Sequence, residues 1–89
     1  MTEDEFRELL TSQGCDEPSE YSYSADYSTE LHTHEFGAQL LVLEGEFILE
    51  LDDGKHIFKA GETCQVPSGT VHAEHTGEVF ARTLVGRTY

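Results

Sequence analysis

The tripeptide His32-Thr33-His34 sets two imidazoles two residues apart. On a strand successive side chains alternate between faces, so both rings project the same way, either into the fold or out to solvent. Two neutral imidazoles in that arrangement can share one divalent cation. Imidazole suits Zn, Fe, Ni, Cu and Mn alike, so the pair does not choose among them. An exposed His-x-His pair with no ligand is spelled identically, and a second segment is needed to weigh against it. Gly61, Pro67, Gly69 and His72 provide one, with the spacing Gly-x5-Pro-x-Gly-x2-His. Proline and glycine at these positions shape a tight turn that aims the strand after it, and His72 follows that turn directly.

Together the two segments resemble the paired motifs of the cupin superfamily, in particular its small single-domain conserved-barrel (type 2) members. The first motif of that family runs His-x-His, three or four residues, Glu, six residues, Gly; the second runs Gly-x5-Pro-x-Gly-x2-His-x3-Asn. His32, His34 and Gly45 match the first, and Gly61, Pro67, Gly69 and His72 match the second. The resemblance covers about half of the chain. It implies an all-β fold, a cupin jelly-roll or double-stranded β-helix barrel of six to eight strands with a short N-terminal helix, and a metal held by His32, His34 and His72 near one end.

Two positions depart from the family pattern. Ala38 stands at the glutamate ligand position, and Thr76 stands at the final asparagine position. Gln39 would take the empty ligand position if the chain slipped by one residue, although such a slip turns every side chain of a strand to its other face. Ala38, Leu40 and Val42 alternate with Gln39, Leu41 and Leu43, so both faces are apolar and the inward one is left open. Without a carboxylate, three imidazoles would leave a divalent charge uncompensated, which favours an anionic ligand or ionisation of a bound water. Glu74 shares a strand face with His72 and is the candidate for an acid–base group or a hydrogen-bond partner of the ligands. Its alternative, shared with Glu35, is a solvated surface carboxylate. His75 is expected to face away from His72, reaching the site only through a bulge. His56 reads as a hairpin-edge residue, Cys64 as small core packing, and Tyr21, Tyr23 and Tyr27 as packing in the barrel or at a subunit contact.

These residues must be carried by short strands. The period of two begins at Tyr21, after a polar connector with Pro18. Apolar segments at 40–43, 47–51, 56–59, 63–66, 71–75 and 78–85 are separated by turn signals at Glu44-Gly45-Glu46, Asp53-Gly54, Ala60-Gly61 and Pro67–Thr70. Many short strands with a turn between each pair describe a closed barrel or sandwich, and no βαβ alternation suggests a parallel sheet. Ahead of them, Thr2 and Glu5 have capping-box spacing, Phe6, Leu9 and Leu10 share one helical face, and Gly14 is a C-terminal stop. The organisation expected is a helix and connector over residues 1–20 and a barrel over residues 21–89.

The chain has 89 residues, enough for one domain. Its 18 Asp and Glu against 5 Lys and Arg give a formal net charge of −13. Such a charge repels phosphate backbones and argues against nucleic-acid partners, while attracting cations. No basic, apolar leader opens the sequence and no run reaches the ~20 apolar residues that cross a bilayer. A cytoplasmic protein with reduced Cys15 and Cys64 and no membrane partner is therefore expected. A strand apolar on both faces needs cover from the helix or from another chain, and a C2 homodimer is expected.

Three functions fit this reading. In the first, the metal site binds, acts on or senses a small anionic or oxygen-rich molecule. In the second, the protein is a metal-dependent dioxygenase, isomerase or lyase. In the third, it is a non-catalytic sensor or structural module.

Overall fold

The computed structural model describes residues 1–88 as one helix, α1 (Glu3–Ser12), followed by six antiparallel strands. These are β1 (Ser19–Tyr23), β2 (Gly37–Leu51), β3 (Gly54–Lys59), β4 (Thr63–Val66), β5 (Ala73–His75) and β6 (Ala81–Thr88). The architecture is mostly antiparallel β with one short N-terminal helix, as the sequence implies.

β2 organises the barrel. Its first half pairs with β4 on one side and β6 on the other, and β6 carries β1 at its far edge. Its second half pairs with β3 and β5. One strand thus belongs to both walls, and a bulge allows it. The register with β6 shifts between Val42 and Glu44, leaving Leu43 as the extra residue. An extra residue reverses the alternation of faces and bends the strand. Leu40 and Val42 point into the barrel before the bulge, and Phe47 and Leu49 do so after it, all packing with Cys64 and Val66. Gly45 completes the device at φ +76, where a Cβ would lie 1.9 Å from the carbonyl oxygen of Phe80.

The structure corrects the sequence reading here. Glu44-Gly45-Glu46 is not a turn between two strands but the bent centre of a single 15-residue strand. The local signal of a positive-φ glycine is the same in both cases, and only pairing with β6 distinguishes them. The hairpin turn that follows is Asp52-Asp53, with Gly54 already paired to Leu51. The last strand starts at Ala81 rather than Glu78, and β1 begins at Ser19, two residues ahead of the expected boundary.

The helix covers the other face of β2. Thr2 and Glu5 form the expected reciprocal cap: the Thr2 hydroxyl accepts from the Glu5 amide and the Glu5 carboxylate accepts from the Thr2 amide. Phe6 and Leu10, 0% and 1% exposed, pack on Leu41 and Leu84, with Leu43 and Cys15 at the margin. Gly86 makes room for this docking, since a Cβ there would meet the Leu10 methyls at 2.6 Å. Burying those two side chains contributes roughly 2–3 kcal/mol each. The apolar face of Leu41 and Leu43 thus finds its cover within the chain.

Gly45→Ala combines a left-handed backbone with a collision against Phe80. It is expected to lower stability by about 3 kcal/mol or more, read as a fall in the urea midpoint. An unchanged midpoint would show that the bulge relaxes freely. Leu10→Ala is expected to cost about 2–5 kcal/mol in the same measurement.

Candidate metal centre

The two histidine segments meet through their backbones. His32 donates its amide to the His72 carbonyl at 2.8 Å, and His72 returns the bond at 3.0 Å. The Gly69 amide donates to the His34 carbonyl at 2.9 Å, which fastens the first segment to the Pro67–Thr70 turn. That turn closes by a Thr70 amide bond to the Pro67 carbonyl, with Gly69 at φ +79 in the third position. The expected strand through His32–His34 is therefore one bridge long, and the rest of the segment is irregular. Both imidazoles nevertheless project to the same side.

His32, His34, His72 and Glu74 form a cluster in which one ligand atom from each lies within 4.8 Å of all the others. The His32 and His72 rings are 4.4 Å apart by centroid, with His34 at 4.8 and 5.1 Å from them. Glu74 Oε1 lies 3.7 Å from His32 Nε2 and 3.4 Å from His72 Nε2. Bonds of about 2.1 Å to a tetrahedral ion place neighbouring ligands about 3.4 Å apart, so this donor set fits a small divalent cation.

The tautomers fit as well. His32 Nδ1 meets the Glu30 carbonyl at 2.7 Å and His72 Nδ1 meets the Thr70 carbonyl at 2.8 Å. A carbonyl only accepts, so Nδ1 carries the proton in both rings and each Nε2 presents a lone pair to the cluster. Burial holds the His34 imidazole below its usual range, helped by the neighbouring His32 and His72 rings, which keeps it neutral. His72 is 1% exposed and has no room to turn away.

Glu74 gives the site the carboxylate that Ala38 withholds. It sits on β5, opposite Leu49 of β2, and its amide and carbonyl are both held by Thr29. Ala38 lines the cavity where the family's glutamate would project. Gln39 faces the opposite way: its amide donates to the Gln13 side chain at the helix end and its carbonyl accepts from Gln65. The two-residue step from His72 to Glu74 was the signal in the sequence; the approach of Glu74 to His32 was not legible there.

The remaining candidates lie elsewhere. His75 turns outward, its Nδ1 against the Ser28 hydroxyl at 2.8 Å and its Nε2 against Glu50 at 2.7 Å. His56 pairs with Asp53 at the hairpin and lowers that carboxyl's pKa. Glu35 is exposed outside the cluster. Thr76, at the family's asparagine position, is buried; its hydroxyl donates to the Ser24 carbonyl and accepts from the Tyr27 amide, closing the bend around Asp26. Cys15 and Cys64 are free thiols, and burial pushes Cys64 up to about 12, so it stays protonated.

The cluster opens onto a cavity of ≈ 240 Å³ lined by Tyr23, Tyr27, Leu40, Phe47 and Val66 among others, with Arg87 also at its wall. Burial pushes the Tyr23 phenol up to about 12, so it is neutral.

An antiparallel barrel with a cluster of histidines at one end is the architecture of the cupins. Residues 20–85 match the cupin domain family, and the chain belongs to it. Comparison with curated proteins gives no match. Among solved structures, the polyketide cyclase RemF from Streptomyces resistomycificus is 32% identical with a TM-score of 0.73, covering 88% of this chain and 58% of that one. A cupin-2 domain protein from Shewanella frigidimarina is 18% identical with a TM-score of 0.71, covering 81% and 69%. A predicted oxalate decarboxylase from Thermotoga maritima is 19% identical with a TM-score of 0.71, covering 91% and 72%. The latter two establish likeness of fold. No helix among the described residues is long and apolar enough to cross a membrane.

In metal-free protein, His34 is expected to titrate below 6.5, the value of a free imidazole. The unfolded chain then binds this proton first. Stability is complete above 6.5 and falls as pH drops from there towards the lowered native pKa. Histidine NMR titration and urea midpoints on either side of pH 6.5 check this, and a His34 pKa at or above 6.5 would contradict it.

Proposed function

We propose that this cupin binds one divalent metal ion through His32, His34, His72 and Glu74, and that the metal receives, and acts on or senses, a small anionic or oxygen-rich molecule. The observation that carries this reading is the opening of the four-residue cluster onto a cavity of ≈ 240 Å³. Four protein donors would close a tetrahedral site, whereas a metal that takes five or six ligands would keep its remaining positions towards the cavity.

A divalent ion held there supplies Lewis acidity to an oxygen of the bound molecule. The chain's own contributions are specific. Nδ1–H bonds to the Glu30 and Thr70 carbonyls orient His32 and His72 and strengthen them as donors. The Glu74 carboxylate offsets one of the metal's two charges, so a singly charged ligand would complete neutrality. The neutral Tyr23 phenol and the apolar wall limit water in the cavity.

A metal-dependent dioxygenase, isomerase or lyase is the second reading. It gains from Glu74, which restores a carboxylate beside three histidines and is placed to hold or move a proton when not bound to the metal. The homodimer belongs to the same proposal. Its support is the group of exposed apolar residues that the helix leaves uncovered, Ile57, Val79 and Phe80 among them. Sedimentation showing a monomer at micromolar concentration would overturn it.

Elemental analysis of untagged protein is expected to find about one divalent metal per chain, lost in the His34→Ala/His72→Ala double variant. Glu74→Gln keeps the shape but removes the charge, and is expected to weaken metal binding on the order of 10–100-fold. Wild-type protein that takes up no metal from several divalent ions would end this reading.

A further inference from the structure

The outer faces of the two barrel walls differ in their cover. The wall of β1, β6, β4 and the first half of β2 carries α1, which packs Phe6 and Leu10 against Leu41 and Leu84. Among the described residues no helix covers the other wall, made of β3, the second half of β2 and β5. Phe47 and Leu49 point into the barrel there, so Glu46, Ile48 and Glu50 point out. On β3, Phe58 packs on the core while Lys55, Ile57 and Lys59 are exposed, Ile57 at 56%.

The strand register sets these side chains in rows. Lys59 lies beside Glu46, and Lys55 lies beside Glu50. Between them Ile57 lies beside Ile48, and that row continues through His75 to Ser28. His75 presents no unmet polar atom, since its Nδ1 meets the Ser28 hydroxyl and its Nε2 meets Glu50. An apolar row is thus flanked on both sides by opposite charges.

Charge singles this face out. The chain has a formal net charge of −13, yet here two glutamates are balanced by Lys55 and Lys59, the only lysines it has. The excess negative charge lies elsewhere on the molecule, where it repels a second copy. Among the described residues neither lysine has an ion-pair partner, because the paired carboxylates are held by arginines and histidines. Lysines on an edge strand discourage pairing edge to edge, which leaves the face as the place to meet.

The rows are also self-complementary. Consider a two-fold axis parallel to the strands, between β2 and β3, in the plane where two such faces touch. It keeps each row in place and lays β3 of one protomer over β2 of the other. Lys59 then faces the partner's Glu46, Lys55 faces the partner's Glu50, and Ile57 faces the partner's Ile48. Stacked sheets lie about 10 Å apart, a gap that such side chains fill from both sides.

We propose that the outer face of β3, β2 and β5 is the isologous interface of a homodimer, with Ile57 at its centre and reciprocal Lys59–Glu46 pairs at its edge. This face rests on the homodimer reading and gives that dimer its surface. Val79 and Phe80, exposed just before β6, stay outside it.

Sedimentation velocity at micromolar concentration tests the face. Wild-type protein is expected to run as a dimer. Lys59→Glu or Glu46→Lys alone opposes like charges twice across the two-fold axis, and each is expected to raise the dissociation constant at least about tenfold. An equal mixture of the two variants is expected to recover the dimer, because every contact between the unlike chains again joins opposite charges. A pair that mattered only within one chain could not be mended in this way. Ile57→Asp is expected to run as a monomer that keeps the wild-type circular dichroism spectrum, and Val79→Asp as a dimer. A dimer that survives Ile57→Asp or dissociates with Val79→Asp would overturn the face and leave the homodimer standing. So would charge variants that dimerise as the wild type does, or that the mixture fails to rescue. A monomeric wild type would overturn both.

Discussion

Gly45 lies against the carbonyl of Phe80 with no space for a side chain, and the extra residue Leu43 sits just before it. This contact lets β2 cross from one wall of the barrel to the other. Before it, even-numbered residues face inward; after it, odd-numbered ones do. A straight strand of the same sequence would send Phe47 and Leu49 outward and leave the barrel without the two largest side chains β2 gives its core after the bulge. The pairing of β5 with the second half of β2 depends on the same bend, and β5 carries Glu74.

The three histidines of the cluster lie outside the strands, yet their segments have little freedom. Reciprocal amide bonds tie His32 to His72, a further bond ties His34 to the turn at Gly69, and Thr29 clamps Glu74 from both sides of its peptide. A site that must hold four donors in fixed geometry needs such restraint, because a flexible segment would lose conformational entropy each time it bound a metal. The imidazoles are restrained as well, through Nδ1–H bonds that select the tautomer. The carboxylate of the cluster comes from β5, through Glu74, and Ala38 on β2 lines the cavity instead. Ala38 leaves room where a glutamate would stand, and the cavity extends into that room.

The acidic surface and the site are separate electrostatic systems. Most carboxylates are exposed and serve solvation, with cross-strand pairs such as Arg82 to Glu20 and Glu44 worth little individually. At the cavity the charged groups are few: the Glu74 carboxylate of the cluster and Arg87 at the wall.

Much of this was legible in the residues. The helix was marked by its cap at Thr2 and Glu5 and by the stripe of Phe6 and Leu10, because capping and helical periodicity are local properties. The family motif pointed to His32, His34 and His72 because their spacing and the turn before His72 are local as well. Other features depended on contacts far apart in sequence. A positive-φ glycine marks a turn or a bulge alike, so only β6 could decide that Gly45 lies within a strand. Leu40–Leu43 is apolar on both faces, and the inward face was chosen by the bulge and by the docking of Leu10 into the space at Gly86. Glu74 joins His32 across more than forty residues, and Arg87 meets the cavity from the far end of the chain. The sequence by itself determined the helix, the short antiparallel strands as a class and the three imidazoles, since each is written in a short window. The tertiary structure decided that Glu74 joins all three imidazoles and which residues wall the cavity, since these come from segments that become neighbours only when the barrel closes.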